Sequence, residues 1–326
     1  MFGIVTLGFF FIRMMPGGPA DYLLQQIQAN PTRYGLGRNP TLEEISKVLE
    51  QQLRMPPDAP LWKQYIEYLK GLAQGNFGKS LIVDPNTPAL QIIMEAAPWT
   101  IFLSVTGLVY SLVMGILLGS LMAYFEGGKF DVGTTMFMIL NRAVPYYVVA
   151  IILLYFLGYV YGVFPTGGRF DATVQKGFNV TFIVSIYQHA AMPILSILIT
   201  GFGGNALSMR ANSIRLLGSD YIRVAQLRGL STYTISTRYI ARNAILPMYT
   251  GIVIGLGGIL GGQVILEEIF AYNGLGLVMF NATAQRDFPL LTASLIITTF
   301  LFVLGTLIAD FTYAWIDPRA EQSSME

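Results

Sequence analysis

The chain has no cysteine and one histidine, and only 12% of its 326 residues are charged. Without cysteine there is no disulfide framework, no thiolate metal site and no Cys nucleophile. His189 has no clustered carboxylates, so it makes a poor metal or catalytic centre. Soluble domains carry about 25% charged residues, so this chain lacks the polar surface a water-borne fold needs. A net charge of +1 gives no field that would attract nucleic acid. No G-x-x-x-x-G-K-[ST] run occurs, so no P-loop ATP site is present. What fills the chain instead is apolar: 53% of residues are hydrophobic and mean hydropathy is +0.55. Apolar runs long enough to cross a bilayer recur, so the reading is an all-α polytopic membrane protein.

Six spans are expected. Residues 1–15 give an apolar stretch too short for a full crossing, read as the outer part of a short or truncated first helix. Pro16, Gly17, Gly18 and Pro19 end it. Residues 16–97 are mixed, with helical periodicity near 19–29, 41–54 and 60–74, and are expected to form a small helical domain on one membrane face. The core then runs over 98–326. Spans are placed at 98–124, at 132–162 (broken near Arg142 and Pro145), at 187–217, at 247–266 and at 289–315. Loops at 163–186 and 267–288 separate them. The sequence of 209–243 carries six Arg and one Asp, so the positive-inside rule places this segment in the cytoplasm. The 16–97 domain and the two loops then face outward, and both termini face inward.

Residues 220–247 read DYIRVAQLRGLSTYTISTRYIARNAILP, a polar insert between spans. Tyr221, Val224, Ala225 and the stem of Arg228 recur at helical spacing. Gly229 reads as a helix stop, and Ser231 as the cap of a second helix striped by Ile235, Tyr239 and Ile240. Pro247 opens the next span. The bland alternative is an ordinary basic loop; a two-faced helical insert of this length suits a docking surface better.

This segment resembles the cytoplasmic coupling motif of ABC importer permeases, in its dipeptide/oligopeptide branch. The matching residues are Asp220, Tyr221, Ile222, Arg223, Ala225, Arg228, Gly229, Leu230 and Ser231, followed by Arg242, Asn243, Ala244 and Pro247. The generic motif's Glu is Arg223 here and its first Ala is Val224, as is usual in that branch. Three further stretches resemble the branch in order: MMPGGPAD near the start, EEIFAYNGLGLVMFNATAQRDFPLL, and the closing DFTYAWIDPR.

The resemblance implies a type I ABC importer fold with an extracytoplasmic helical insertion after the first span. It implies a permease, not an enzyme, in a prokaryotic inner membrane. Expected partners are a second homologous permease, two ABC ATPase subunits, an extracytoplasmic solute-binding protein and membrane lipid. No cofactor is expected in this chain, since ATP and Mg would sit in the partner subunits. The segment 218–243 would couple to an ATPase, with Gly229 where a side chain obstructs docking and Arg223 and Arg228 facing acidic groups. Cargo is expected to be a di- or oligopeptide, with oligosaccharide or nickel as alternatives. Pro145, Glu267 and Glu268 are candidates for a gate or the outer face. The rival from another class is a self-sufficient secondary transporter or channel. It would need intramembrane ion or proton sites, and acidic residues are nearly absent from the spans.

Overall fold

The computed structural model describes residues 2–14, 19–53, 59–245, 248 and 263–316. The described residues are helical, joined by turns. They divide into two compact units: Met1–Pro98 with Gly274–Phe300, and Trp99–Asn273 with Leu301–Glu326.

The first unit opens with α1 (Phe2–Met14), apolar throughout except Arg13 near its end. Helix α2 (Pro19–Ala29) and α3 (Leu42–Leu53) follow. Thr41 starts α3 with a reciprocal cap. Its hydroxyl accepts from the Glu44 amide at 3.3 Å, and the Glu44 carboxylate accepts from the Thr41 amide at 2.8 Å. The apolar stripes of the two helices close on each other: Leu23, Ile27, Ile45 and Leu49 are buried with Leu81 and Ile82. Helix α4 (Leu61–Ala73) instead lies along α1, where Thr6 and Tyr65 share a 2.6 Å hydrogen bond and Phe9 stacks on Tyr65 and Tyr68.

Asp287 pins this unit together. Its Oδ2 accepts from the Ser80 hydroxyl at 2.5 Å and from the amides of Leu81, Ile82 and Val83 at 3.0, 3.0 and 3.1 Å. It is fully buried, and its Oδ1 faces the Leu290 amide in the first turn of the last helix.

The second unit is built on long helices: α5 (Ala89–Tyr124, entering from the first unit), α6 (Lys129–Arg142), α7 (Tyr146–Leu153, widening into a π-helix over Leu154–Val160) and α8 (Val180–Leu217). Helices α5 and α8 approach closely because α5 offers glycine. A Cβ on Gly107 would stand 2.9 Å from the Ile197 side chain, and Asn205 donates to Ser111 at 3.1 Å across the same seam. After α8 come α9 (Asp220–Leu227) and α10, which starts at Thr232–Thr234, widens over Ile235–Ala241 and closes at Arg242–Ala244. Helices α11 (Val264–Ile269), α12 (Leu275–Ala284) and α13 (Phe288–Ile316) complete the chain.

Three described helices are long and apolar enough to span a bilayer: Ala89–Tyr124, Val180–Leu217 and Phe288–Ile308. A fourth span forms if Lys129–Arg142 and Tyr146–Val160 count together, across a bend of 89°. Pro145 sits at that bend, capping α7 with an extended backbone. The span expected at 247–266 lies largely outside the described residues, and so does Pro247. Two loops differ from expectation. Helix α8 starts at Val180 because the Asn179 side chain accepts from the Phe182 amide at 2.8 Å and nucleates it early. The stretch 267–288 is mostly helical, since Leu275–Ala284 is apolar enough to bury Leu275, Gly276, Leu277 and Ala282.

Candidate coupling site at residues 218–244

Only Gly218 and Ser219 separate α8 from α9. So short a link ties α9 closely to the end of the long helix. Asp220 lies in the first turn of α9, where a carboxylate suits the helix dipole. The helix ends in a Schellman turn. Gly229 adopts φ +70°, its amide donates to Gln226 O at 2.9 Å, and Leu230 N donates to Ala225 O at 3.3 Å. Ser231 then starts α10, its hydroxyl accepting from the Thr234 amide at 3.3 Å. The glycine stop and the serine cap are therefore where the sequence placed them.

The inward face of α9 is not the expected one. Ile222 and Ala225 are buried, packed on Ile235 and Ile240 with Leu217, Leu230 and Tyr239 around them. Tyr221 and Val224 are exposed. In a helix this short, stripes one residue apart differ by about 100°, and the apolar Ile222 wins the core. The outcome matters, because it turns Tyr221, Val224 and Leu227 outward. Leu227 is 81% exposed and Tyr233, across the turn, is 77% exposed. Arg223, Arg228, Arg238 and Arg242 are exposed around them. The segment thus presents exposed apolar side chains together with exposed arginines, on a helix–turn–helix held by its own core. Leu227 and Tyr233 escaped the sequence reading. Their signal was present: large apolar residues beside a glycine turn in an otherwise polar insert.

No neighbour of the chain lies within 4 Å of where a Cβ on Gly229 would stand. The space beside the turn is open.

Further back along the long helix, α8 is tied to α6. Arg210 Nε donates to Asp131 Oδ1 at 2.5 Å and Nη2 to Oδ2 at 2.7 Å, a bidentate pair. The Gly127 amide donates to Asp131 Oδ2 at 3.0 Å. Asp131 is buried. Arg210 stands roughly 15 Å along the helix from α9, at about 1.5 Å per residue. These two residues are 79 apart in sequence, and no local pattern announces them.

The remaining candidates sit on other elements. Pro145 is exposed at the α6–α7 bend. Glu267 is buried in α11, accepting from the Thr100 hydroxyl at 2.6 Å, while Glu268 is exposed. Tyr272 is fully enclosed nearby. Burial first, and then the Glu267 charge, push its ionisation above the ordinary phenol range. His189 Nδ1 lies 2.8 Å from the Ser185 carbonyl of its own helix, an ordinary local bond. Among the described residues no three His, Cys, Asp or Glu side chains converge as a metal site.

Membrane-length helices joined to an exposed, internally braced helix–turn–helix define a class: an integral membrane subunit. The comparisons give the family. Residues 115–322 match the model of the binding-protein-dependent transport system inner membrane component. The oligopeptide transport system permease protein AppB of Bacillus subtilis is 30% identical over 98% of this chain and 95% of its own length. The dipeptide transport system permease protein DppB of Lactococcus lactis is 29% identical, over 98% and 94%. The oligopeptide transport system permease protein OppB of Haemophilus influenzae is 28% identical, over 98% and 94%. The fold is also that of a chain in inward-facing structures of the MetNI methionine ABC transporter, with a TM-score of 0.54 at 13% identity, covering 70% of this chain and 97% of that one. The chain belongs to the family of binding-protein-dependent inner membrane transport components, in its dipeptide/oligopeptide B-type permease branch. It is a membrane-embedded ABC permease subunit with a type I importer-like fold, and not an enzyme.

Proposed function

We propose that this chain forms half of the translocation pathway of an ATP-driven importer of di- or oligopeptides, working by alternating access. The observation that carries the coupling is the braced turn at Gly229, with Tyr221, Val224, Leu227 and Tyr233 exposed together with arginines. A flexible loop would absorb a displacement. A helix with its own core, one short link from a membrane-length helix, transmits it. The ATPase subunits would seat on that face and supply ATP and Mg; the chain itself carries no cofactor. Peptide cargo follows from the relatives, which are named as oligopeptide and dipeptide permeases.

The full reading has six spans with both termini cytoplasmic, supported by the arginine excess at 209–243. Residues 16–97 form the extracytoplasmic insertion and 98–326 the core. A second homologous permease completes the pathway, two ATPases drive it, and an external solute-binding protein delivers cargo. Glu267, Glu268 and Pro145 are the candidates for outer face and gate.

The test is Gly229→Trp beside Gly229→Asn. Asparagine tolerates the left-handed backbone better than most residues, so it separates strain from obstruction. Peptide uptake should be abolished in the Trp variant and largely kept in the Asn variant, with the membrane subunits still co-purifying. Normal uptake by Gly229→Trp would sink the docking model. Uptake of oligosaccharide or nickel in place of labelled peptides would overturn the cargo.

A further inference from the structure

Helix α4 falls in the stretch that reads as a water-borne helical domain, yet it does not behave like its neighbours there. Helices α2 and α3 bury their apolar stripes in a shared core. Helix α4 keeps Trp62 at 65% exposure and Ile66 at 43%.

The arrangement around α4 is ordered. At about 100° per residue, Gln64, Tyr68, Leu72 and Tyr65 share one side. That side meets α1: Tyr65 bonds Thr6, and Tyr65 and Tyr68 stack on Phe9. Next round the helix come Leu69, Trp62, Ala73 and Ile66. Beyond them come Lys70, Lys63 and Glu67, all exposed. The helix therefore has three faces: one packed, one apolar and open, one charged and open.

The neighbour on the packed side identifies what covers the open one. Helix α1 carries no charge over Phe2–Phe11 and leaves Phe2, Leu7, Phe11 and Met14 largely uncovered. In a membrane subunit such a surface faces lipid. Tyr65 meets α1 at Thr6, about two turns before its Met14 end, so α4 lies alongside lipid-exposed helix, not beyond it. A tryptophan and tyrosines next to lysines with long apolar stems is the composition of a membrane–water boundary.

We propose that α4 is an interfacial helix, seated on the lipid surface through Trp62, Ile66 and Leu69 with Lys63, Glu67 and Lys70 in water. It anchors the insertion to the bilayer beside α1. The inference is independent of cargo and of ATPase coupling.

The absence of cysteine makes the test clean. Single cysteines are introduced by Trp62→Cys, Lys63→Cys, Ile66→Cys, Glu67→Cys and Lys70→Cys in the full chain, purified with its co-expressed subunits. They carry a nitroxide label in lipid nanodiscs. Collision with oxygen, which partitions into lipid, is compared with collision with a water-soluble nickel chelate. The oxygen-to-nickel ratio should be several-fold higher at 62 and 66 than at 63, 67 and 70. Equal, nickel-dominated access at all five positions would put α4 in water and overturn the proposal. So would immobile labels at 62 and 66 reached by neither probe, which would mean that protein covers the face. A coupling defect from the Gly229 variants would leave these ratios unchanged, so the two readings fail separately.

Discussion

Two buried carboxylates hold this molecule together in different ways. Asp287, in the first unit, is met by one hydroxyl and three consecutive backbone amides. Asp131, in the second, is met by a guanidinium, one amide and the Thr135 hydroxyl. Among the described residues no cation pairs with the first. It holds the 80–83 turn, because three consecutive amides and the Ser80 hydroxyl converge on one oxygen. The second joins two helices through side chains alone. It holds α6 to α8 so that the two can move together. A neutral nest suits a part that keeps its shape, and a charge pair between helices suits parts that move as one.

The largest expected effect breaks the first anchor. Asp287→Ala leaves four donors without their shared acceptor, and each orphaned buried donor costs about 1–3 kcal/mol. Limited proteolysis should then cut within 77–88, where the parent chain resists, with a stability loss on the order of 3 kcal/mol or more. Asp287→Asn keeps an acceptor but loses the charge, and should fall between the two. Equal protease resistance in parent and Ala variant would mean the nest does not hold the turn.

The second anchor should break differently. Arg210→Ala strands a buried carboxylate, and removing one partner of a buried pair costs about 3–5 kcal/mol; partial exposure of Arg210 brings this toward the lower end. Uptake should fall further than thermal stability alone explains, because α6 no longer follows α8. Arg210→Lys, which keeps the charge but loses the fork, should recover stability more than transport. If Lys restores both equally, the pair is a strut for folding only.

A smaller effect lies on the proposed docking face. Leu227→Ala removes an exposed side chain and should leave the isolated chain's stability within about 0.5 kcal/mol. It should still lower ATPase-driven uptake several-fold. Stability and uptake unchanged together would take Leu227 out of the interface.

The smallest concerns acid. The Thr173 amide, then its hydroxyl, hold the Asp171 carboxyl below its usual range. A depressed folded value gives a contribution present above the ordinary carboxylate pKa and lost as pH falls through the lowered one. The protection of the Thr173 amide relative to its intrinsic exchange rate should therefore be constant until below about pH 4, and then fall. No such departure is expected in Asp171→Asn.

Much of this was legible in the sequence, for physical reasons. Long apolar runs mark helices long enough to cross a bilayer, and Gly229 and Ser231 obey rules of one helical turn. The outward choice of Tyr221 over Ile222 was not legible, since both fit an eight-residue helix and only the partner side chains of α10 decide. Asp131 with Arg210, and Asp287 with Ser80, are separated by 79 and 207 residues. Asp287 did stand inside a recognisable RDFPLL stretch, but nothing local says that its partners are amides 200 residues upstream. Helix α4 was visible as periodic; that its apolar side stays uncovered appears only once its neighbour is known.

The 89° break at Pro145 has a consequence of its own. A proline brings no amide proton to the main-chain ladder, and hydrocarbon offers nothing in return for a carbonyl left over. An interrupted helix is therefore tolerated inside a bilayer only where it turns its open edge toward protein or water. Where Lys129–Val160 crosses as one broken span, residues 141–145 would therefore face protein or water, with the acyl chains on the other side.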